Sequence, residues 1–467
     1  FQTHKCYTSL NCNDDRQTWT AKLIMQIDQQ VAEIQSIVDD VLKMAQKKGA
    51  TQAEASMSKV QGIAVSSRMR EVENVEFTND GGLGISVYVG KHKGSASTAD
   101  LSREALTLAV EKAIDIARYT SEDPCTGLAD AELMAQEFPD LDLYHPQALN
   151  TEEAIRIAIE TEAAALAYDP RITNSDGASY NANLGMRVYG NTHGINAGYP
   201  SSRYSLSCMV IGADKEDMQR DYAYTVSRKA GDLSSPEQVG KEAAECTVSR
   251  LGARKINTAN VPVIIHRDLA AGLFGHYVAA ISGGNLYRRS SFLLDKLGEQ
   301  IFPEWLTIEE RPRLKGALAS SNFDNEGVAT KDLTVVESGK LSHYLYTSYS
   351  ARKLNTRSTG HAGGIHNWLV ANTGQSDAEL LKEMGTGLLV TELMGQGVNV
   401  VTGDYSRGAA GFWVENGVIQ YPVHEVTIAG NLKSMFAGIG AIGAVQDHRG
   451  SVQTGSVLID KMRIAGS

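Results

Sequence analysis

No stretch of the chain approaches the ~20 consecutive apolar residues that a membrane-crossing helix needs. Residues 1–20 are mostly polar and lack the apolar core of a secretory signal. Neither export nor anchoring is expected. Cysteine is scarce: Cys6, Cys12, Cys125, Cys208 and Cys246 are the five in 467 residues, an odd number without paired spacing. Such thiols suit a reducing compartment, so the cytoplasm is the expected location. Positive charge is also short. With 44 Lys and Arg against 55 Asp and Glu, the formal net charge is −11, which argues against a phosphate-tracking surface and hence against direct nucleic-acid binding.

What is present is globular in character. At 42% hydrophobic and 21% charged, the chain has room for two or three domains. Residues 1–24 are expected to be a disordered extension. From residue 26 to 48, Ile27, Val31, Ile34, Val38, Val41, Leu42 and Ala45 recur at helical spacing and Gly49 supplies a stop. Residues 54–98 alternate, with turns expected at Gln61-Gly62, Asn79-Asp80-Gly81-Gly82 and Lys93-Gly94, which reads as an antiparallel meander. A helix over 102–119 follows. Asn150 with Glu153 resembles a capping box for a further helix to about Tyr168. Residues 171–227 are β-rich, and Ser235-Pro236-Glu237 opens a helix that closes near Leu251.

The polar segment 252–260 is the expected boundary between an N-terminal domain, 25–251, and a C-terminal domain, 252–467. The first contains two helix-plus-meander units that read as a diverged duplication. The second is mainly β, with helices near 271–281 and 377–384. The expected fold class is α+β: an N-terminal helix and antiparallel-sheet domain and a mainly β C-terminal domain with inserted helices.

The most informative stretch is Gly403-Asp404-Tyr405-Ser406-Arg407-Gly408, continuing through Glu415-Asn416-Gly417 to residue 432. Physically it is a hairpin: Asn-Gly supplies the turn and residues 418–421 alternate as a returning strand. Other blocks follow the same order along the chain: Glu71-Val-Glu-Asn-Val-Glu-Phe77, Asp80-Gly-Gly-Leu-Gly-Ile85, Gly94-Ser-Ala-Ser97, Thr347-Ser-Tyr-Ser-Ala-Arg-Lys353, Gly360-His-Ala-Gly-Gly-Ile-His-Asn367 and Glu383-Met-Gly-Thr-Gly387. Together they resemble the TldD/PmbA family, on its PmbA (TldE) branch, from about Val31 to the C-terminus.

That resemblance implies a peptide-processing metalloprotease assembly. In the TldD branch a helix carries His-Glu-x-x-x-His and a cysteine near the C-terminus completes a zinc site. In this chain the matching helix positions hold Gly275, His276 and Ala280, the cysteine position falls near Val445, and no cysteine follows Cys246. Zinc needs several N or S ligands converging on one point, and without it no Lewis acid activates the attacking water. The resemblance therefore implies a non-catalytic subunit with no catalytic residue, metal or cofactor of its own. Zinc is expected in a TldD-like paralogue that pairs with it as a heterodimer, a homodimer being the other arrangement. The implied substrates are microcin-type modified peptides and unfolded antitoxins, and the family's association with DNA gyrase would then be indirect. Two other readings stand beside this one: an active metallopeptidase with an atypical centre around His276, His361, His366 and Glu425, and a homodimeric peptide-binding module.

The candidate peptide-cleft or interface residues are His276, Arg288, Arg289, His361, His366, Asp404 and Arg407. A lone His276 among Phe274, Tyr277 and Val278 reads as a core or interface histidine sooner than as a ligand. Arg288 and Arg289 suit either a substrate carboxylate or structural ion pairs. His361 and His366 lie in a glycine loop, where hydrogen bonding is the simpler role and a metal site with His424-Glu425 the sharper one. Asp404, Ser406 and Arg407 read as an ion pair locking the hairpin, or as one wall of a cleft. Ser350-Ala-Arg-Lys353 has the Ser-x-x-Lys spacing without a Lys-Thr-Gly partner. Gly438-Ile-Gly-Ala-Ile-Gly443 fits a dinucleotide fingerprint only as a pattern, since no strand-helix-strand unit follows it.

Overall fold

The computed structural model describes residues 12–148 and 150–466, with side chains from residue 27 onward. Its first half runs α1 (Cys12–Lys47), β1 (Gln52–Arg68), β2 (Glu71–Val89), β3 (His92–Thr98) and α2 (Arg103–Tyr119). The same order then repeats as α3 (Thr151–Leu166), β4 (Ile172–Asn191), β5 (Asn196–Asp214), β6 (Asp217–Ser227) and α4 (Pro236–Ser249). β1 and β4 pair antiparallel, so the two meanders fuse into one six-stranded sheet ordered β3-β2-β1-β4-β5-β6 among the described residues. That order is mirrored about the β1–β4 contact. The helices cover one face: on β1, Ala53, Ala55 and Met57 pack with Val38 of α1 and Val110 of α2. Further along the same strand, Ile63 and Val65 pack with Ala158 of α3 and Val239 of α4. All five are odd-numbered, as residues of one sheet face must be.

The second half opens with β7 (Ala259–Ile265), α5 (Arg267–Ile281) and α6 (Gly283–Tyr287), then β8 (Ile308–Glu310), β9 (Leu333–Glu337), β10 (Lys340–Leu341), α7 (Ser348–Lys353) and β11 (Trp368–Val370). It continues as α8 (Asp377–Met384), β12 (Gly387–Met394), β13 (Asp404–Glu415), β14 (Val418–Asn431), α9 (Leu432–Ala437), β15 (Ile439–Ile442), β16 (Val452–Gln453) and β17 (Val457–Ala465). β10-β9-β8-β11-β16 form a small sheet, and β14-β13-β12-β7-β17-β15 a larger one. β14 also pairs with β17 between Thr427 and Ala429, so β14, β13, β12, β7 and β17 close on themselves. On β7, Val263 and Ile265 face the core containing α5, while Ile264 faces α8. Burial on both sides explains why this strand is apolar without alternation. The whole is a mixed α+β protein, mainly β in its second half.

Three sequence expectations need correcting. The extension 1–24 lies outside the described residues only as far as residue 11; from Cys12 the chain already belongs to α1, and no Gly or Pro between 12 and 26 stops the helix. The strands run straight through all three expected turns, at Gln61-Gly62, at residues 79–82 and at Lys93-Gly94, the last inside β3. Gly62 is there for a close approach, since a Cβ would meet Asn183 Oδ1 and the Ala182 carbonyl at 2.3 and 2.8 Å. The turns of this meander are Met69-Arg70, both at positive φ (52° and 68°) without a glycine, and Gly90-Lys91, with Gly90 at φ 61°. The capping box at Asn150 is half formed: its side chain accepts from the Glu152 and Glu153 amides, but the Glu153 carboxylate pairs with Arg156.

Candidate functional site

Helix α5 buries Phe274, Tyr277, Ala280 and Ile281 and turns His276 outward. The imidazole, half-buried, meets the ring of Tyr405 on β13, centroids 5.9 Å apart. Arg407, two residues on along the same strand, completes the cluster. Burial, then the Arg407 charge, hold His276 below its usual pKa. Among the described residues Arg407 makes one long hydrogen bond, Nη2 to the Leu393 carbonyl at 3.4 Å, and its buried Nε meets no acceptor. The hairpin and the helix thus converge, but on a histidine with a cation beside it. Zinc does not fit here: the histidine's charged neighbour is a guanidinium, Ala280 is fully buried, and among the described residues no group of three ligating side chains lies on α5.

The other expected residues separate. Asp404 is exposed and takes the Thr402 hydroxyl at 2.6 Å and Asn431 Nδ2 at 3.2 Å, which hold its carboxyl low. The expected Asp404–Arg407 ion pair is therefore not formed; successive odd and even positions on β13 point to opposite faces. Arg288 and Arg289 are both exposed, and neither has a carboxylate within ion-pair distance among the described residues. Arg288 instead lies over the Tyr287 ring and bonds Asn285. Glu425, at φ 51° in a bulge, pairs with Lys255 at 2.8 Å, far in role from the histidine loop. Ser350 caps α7 through Thr347 and is buried, so the Ser-x-x-Lys spacing carries no nucleophile. Of residues 438–443, Gly438 caps the end of α9 and Ile439–Ile442 form β15.

His361 and His366 do come together, around a residue the sequence reading missed. Glu310, at the end of β8, is 1% exposed and accepts four hydrogen bonds. They come from His361 Nε2 (2.7 Å), His366 Nδ1 (2.6 Å), the His366 amide (2.8 Å) and Trp368 Nε1 (3.0 Å). Thr359 Oγ1 lies 2.8 Å from the other His361 nitrogen. Burial pulls the Glu310 carboxyl up, but the hydrogen bonds and charge of His361 and His366 outweigh it and hold it well below the usual range. These three residues are a potential metal cluster by proximity. Their spacing is that of hydrogen bonds: zinc ligands at about 2.0–2.1 Å from a tetrahedral metal stand roughly 3.3 Å apart. With both carboxylate oxygens already doubly occupied, the arrangement is a buried polar lock.

The loop around this lock is held from a second side. Asp324 accepts the amides of Glu326, Val328 and Ala362 at 2.8, 3.0 and 2.9 Å. Burial nevertheless pushes its carboxyl up to about 7. Gly363, at φ 102°, passes so close to Asn325 that a Cβ would sit 2.3 Å from its Nδ2. The one sequence signal for Glu310 is a charged residue two places after Ile308 in a strand whose alternate positions are buried.

Comparison with known proteins accords with this architecture. Three domain models of the PmbA/TldA metallopeptidases match in order: domain 1 over residues 53–117, the central domain over 144–251 and the C-terminal domain over 258–466. The chain is 55% identical to "Metalloprotease PmbA" of Escherichia coli O157:H7 over 95% of its length and 99% of that protein. It is 56% identical to a "Metalloprotease PmbA homolog" of Haemophilus influenzae, over 94% and 97%. Among solved structures, a candidate modulator of DNA gyrase from Bacteroides thetaiotaomicron superposes with a TM-score of 0.89 at 28% identity, covering 93% of this chain and 99% of that one. TldE from Thermococcus kodakarensis shares the fold, with a TM-score of 0.78 at 20% identity over 92% and 100%.

Proposed function

Because this chain belongs to the PmbA/TldA metallopeptidase family, we propose that it acts as a non-catalytic subunit which completes a peptide-holding chamber for a zinc-bearing, TldD-like paralogue. The observation that carries this is the surroundings of His276. Where the resemblance places His-Glu-x-x-x-His, this helix offers one imidazole beside Arg407, with a buried Ala280 in the place of the second histidine. A half-buried guanidinium next to the site repels a dication and attracts a carboxylate or a peptide carbonyl. In this reading His276, Tyr405 and Arg407 meet substrate main chain or the partner, and hydrolysis takes place on the partner's metal. The substrates are unfolded or modified peptides, microcin-type precursors and antitoxins, and the assembly works in the cytoplasm. An obligate interface of this kind buries well over ~2,000 Å².

The rival reading, a metallopeptidase in its own right, would need the Glu310 cluster to open by more than half an ångström and give up its hydrogen bonds. The test is reconstitution. The chain, the zinc-bearing paralogue and their mixture are compared for native mass and for cleavage of an unfolded reporter peptide. A stable mixed dimer that cleaves, while this chain alone does not, supports the proposal. Chelator-sensitive cleavage by the isolated chain overturns it.

A further inference from the structure

Sheet edges expose unpaired N–H and C=O groups, and proteins normally cover or blunt them. The two edges of the six-stranded sheet are treated differently. On β6, arginine side chains reach the strand's carbonyls: Arg449 Nη1 to Tyr224 and Arg250 Nη1 to Arg220, each at 3.2 Å. At the opposite edge, β3 covers β2 only from Leu83 to Val89. From Glu71 to Gly82 the outer side of β2 has no strand beside it, and no side-chain hydrogen bond reaches its backbone among the described residues.

This open edge is fixed at both ends. At the hairpin tip the buried Glu162 of α3 accepts the Met69 and Arg70 amides, each at 2.8 Å, and the Ser67 hydroxyl at 3.1 Å. At the other end, where β3 stops at Thr98, a groove of about 300 Å³ lies between α1 and the edge, its floor formed by Ile34, Ile37 and Met57 and its rim carrying two carboxylates, Glu33 and Asp80, against one cation, Lys59. A strand continuing the lane of β3 would pass over this groove. Glu71, Glu73, Glu76 and Asp80 are exposed along the edge, with Arg68 3.9 Å from Glu73, and Val72 (42%) and Phe77 (64%) are exposed beside them. A second copy pairing edge to edge would set carboxylates against carboxylates, whereas a basic strand would be matched in charge.

We propose that the outer edge of β2 from Glu71 to Gly82 binds an extended, basic peptide segment by strand addition, with one apolar side chain of that segment seated in the groove beside Ile34 and Met57. Main-chain hydrogen bonds supply affinity, and the groove and the acidic row select the segment. The proposal rests on the peptide-holding reading above for its occupant, though not for its place.

The probe is a blocked eight-residue peptide alternating lysine with valine or leucine, titrated calorimetrically into the intact chain. Three comparisons decide. N-methylation of alternate peptide residues, which removes main-chain donors, weakens binding at least tenfold. Ala99→Trp, an exposed position at the groove, does the same while leaving circular dichroism unchanged. The double substitution Glu73→Lys and Glu76→Lys inverts the preference toward a glutamate-containing peptide. Equal affinity for the N-methylated peptide overturns the proposal, as does indifference to the charge reversal or a self-associated chain whose mass falls on that reversal. These titrations use the chain without its paralogue, so their failure leaves reconstitution unaffected, and failed reconstitution leaves them readable.

Discussion

Removing the Glu310 carboxylate is the sharpest structural perturbation this fold offers. Four donors point at two oxygens inside the protein, and Glu310→Ala leaves two imidazoles, an indole N–H and the His366 amide without their acceptor. An unsatisfied buried donor costs about 1–3 kcal/mol, and breaking a buried ion pair by deleting one partner about 3–5 kcal/mol. The effects overlap because the groups share one carboxylate, so the expected loss is about 3–5 kcal/mol. Urea unfolding followed by fluorescence reads it, since Trp368 is itself one of the donors. The pH dependence adds a sign. The folded carboxyl lies below its ordinary value of 4.5, so the unfolded state takes up more protons on acidification. The stabilisation is present above about pH 4.5 and is lost as pH falls through the folded value. The gap between wild type and Glu310→Gln should therefore narrow as pH falls below about 4.5, on going from about pH 5 to pH 3. A cost below about 1 kcal/mol for Glu310→Ala, or a gap that does not change with pH, would refute the reasoning.

Asp324 is shifted the opposite way, with a folded value of about 7 against 3.8. Its folded form holds the proton more tightly between these values, so stability relative to Asp324→Asn falls as pH rises through that window, by at most about 4 kcal/mol. Paired thermal melts from pH 5 to 8 check it. Gly94→Ala should cost several kcal/mol, because the new Cβ would lie 1.9 Å from the Ala113 carbonyl where β3 crosses α2; the melting temperature reads this directly. The Cys208 thiol, buried and pushed up to about 12, should stay unlabelled by iodoacetamide in the native protein and react after denaturation, as followed by mass spectrometry.

The helices were legible because their signals are local. Ser102, Asn150 and Ser235 each accept backbone amides at the helix starts their positions announce. Strand limits were not, because a glycine can mark a turn or a close approach and only the neighbouring strand decides; Gly62 and Gly81 sit inside ladders. The pairing of His361 with His366 was visible in the loop, but Glu310 lies 51 residues before His361 and has no chain pattern that links them. Asp404 and Arg407 misled for a physical reason. Polar residues three apart on a strand face opposite sides, and the turn partners Thr402 and Asn431 are nearer. The closing of β14 onto β17 is likewise a long-range pairing with no local signal.

The proposal stands most directly on the metal content of the purified, untagged chain, measured by mass spectrometry after dialysis against a weak chelator. Zinc far below one atom per chain, with full stoichiometry in the reconstituted complex, is the predicted result. Near-stoichiometric zinc in the isolated chain, lost together with His276 or with the Glu310 cluster on substitution, would contradict it.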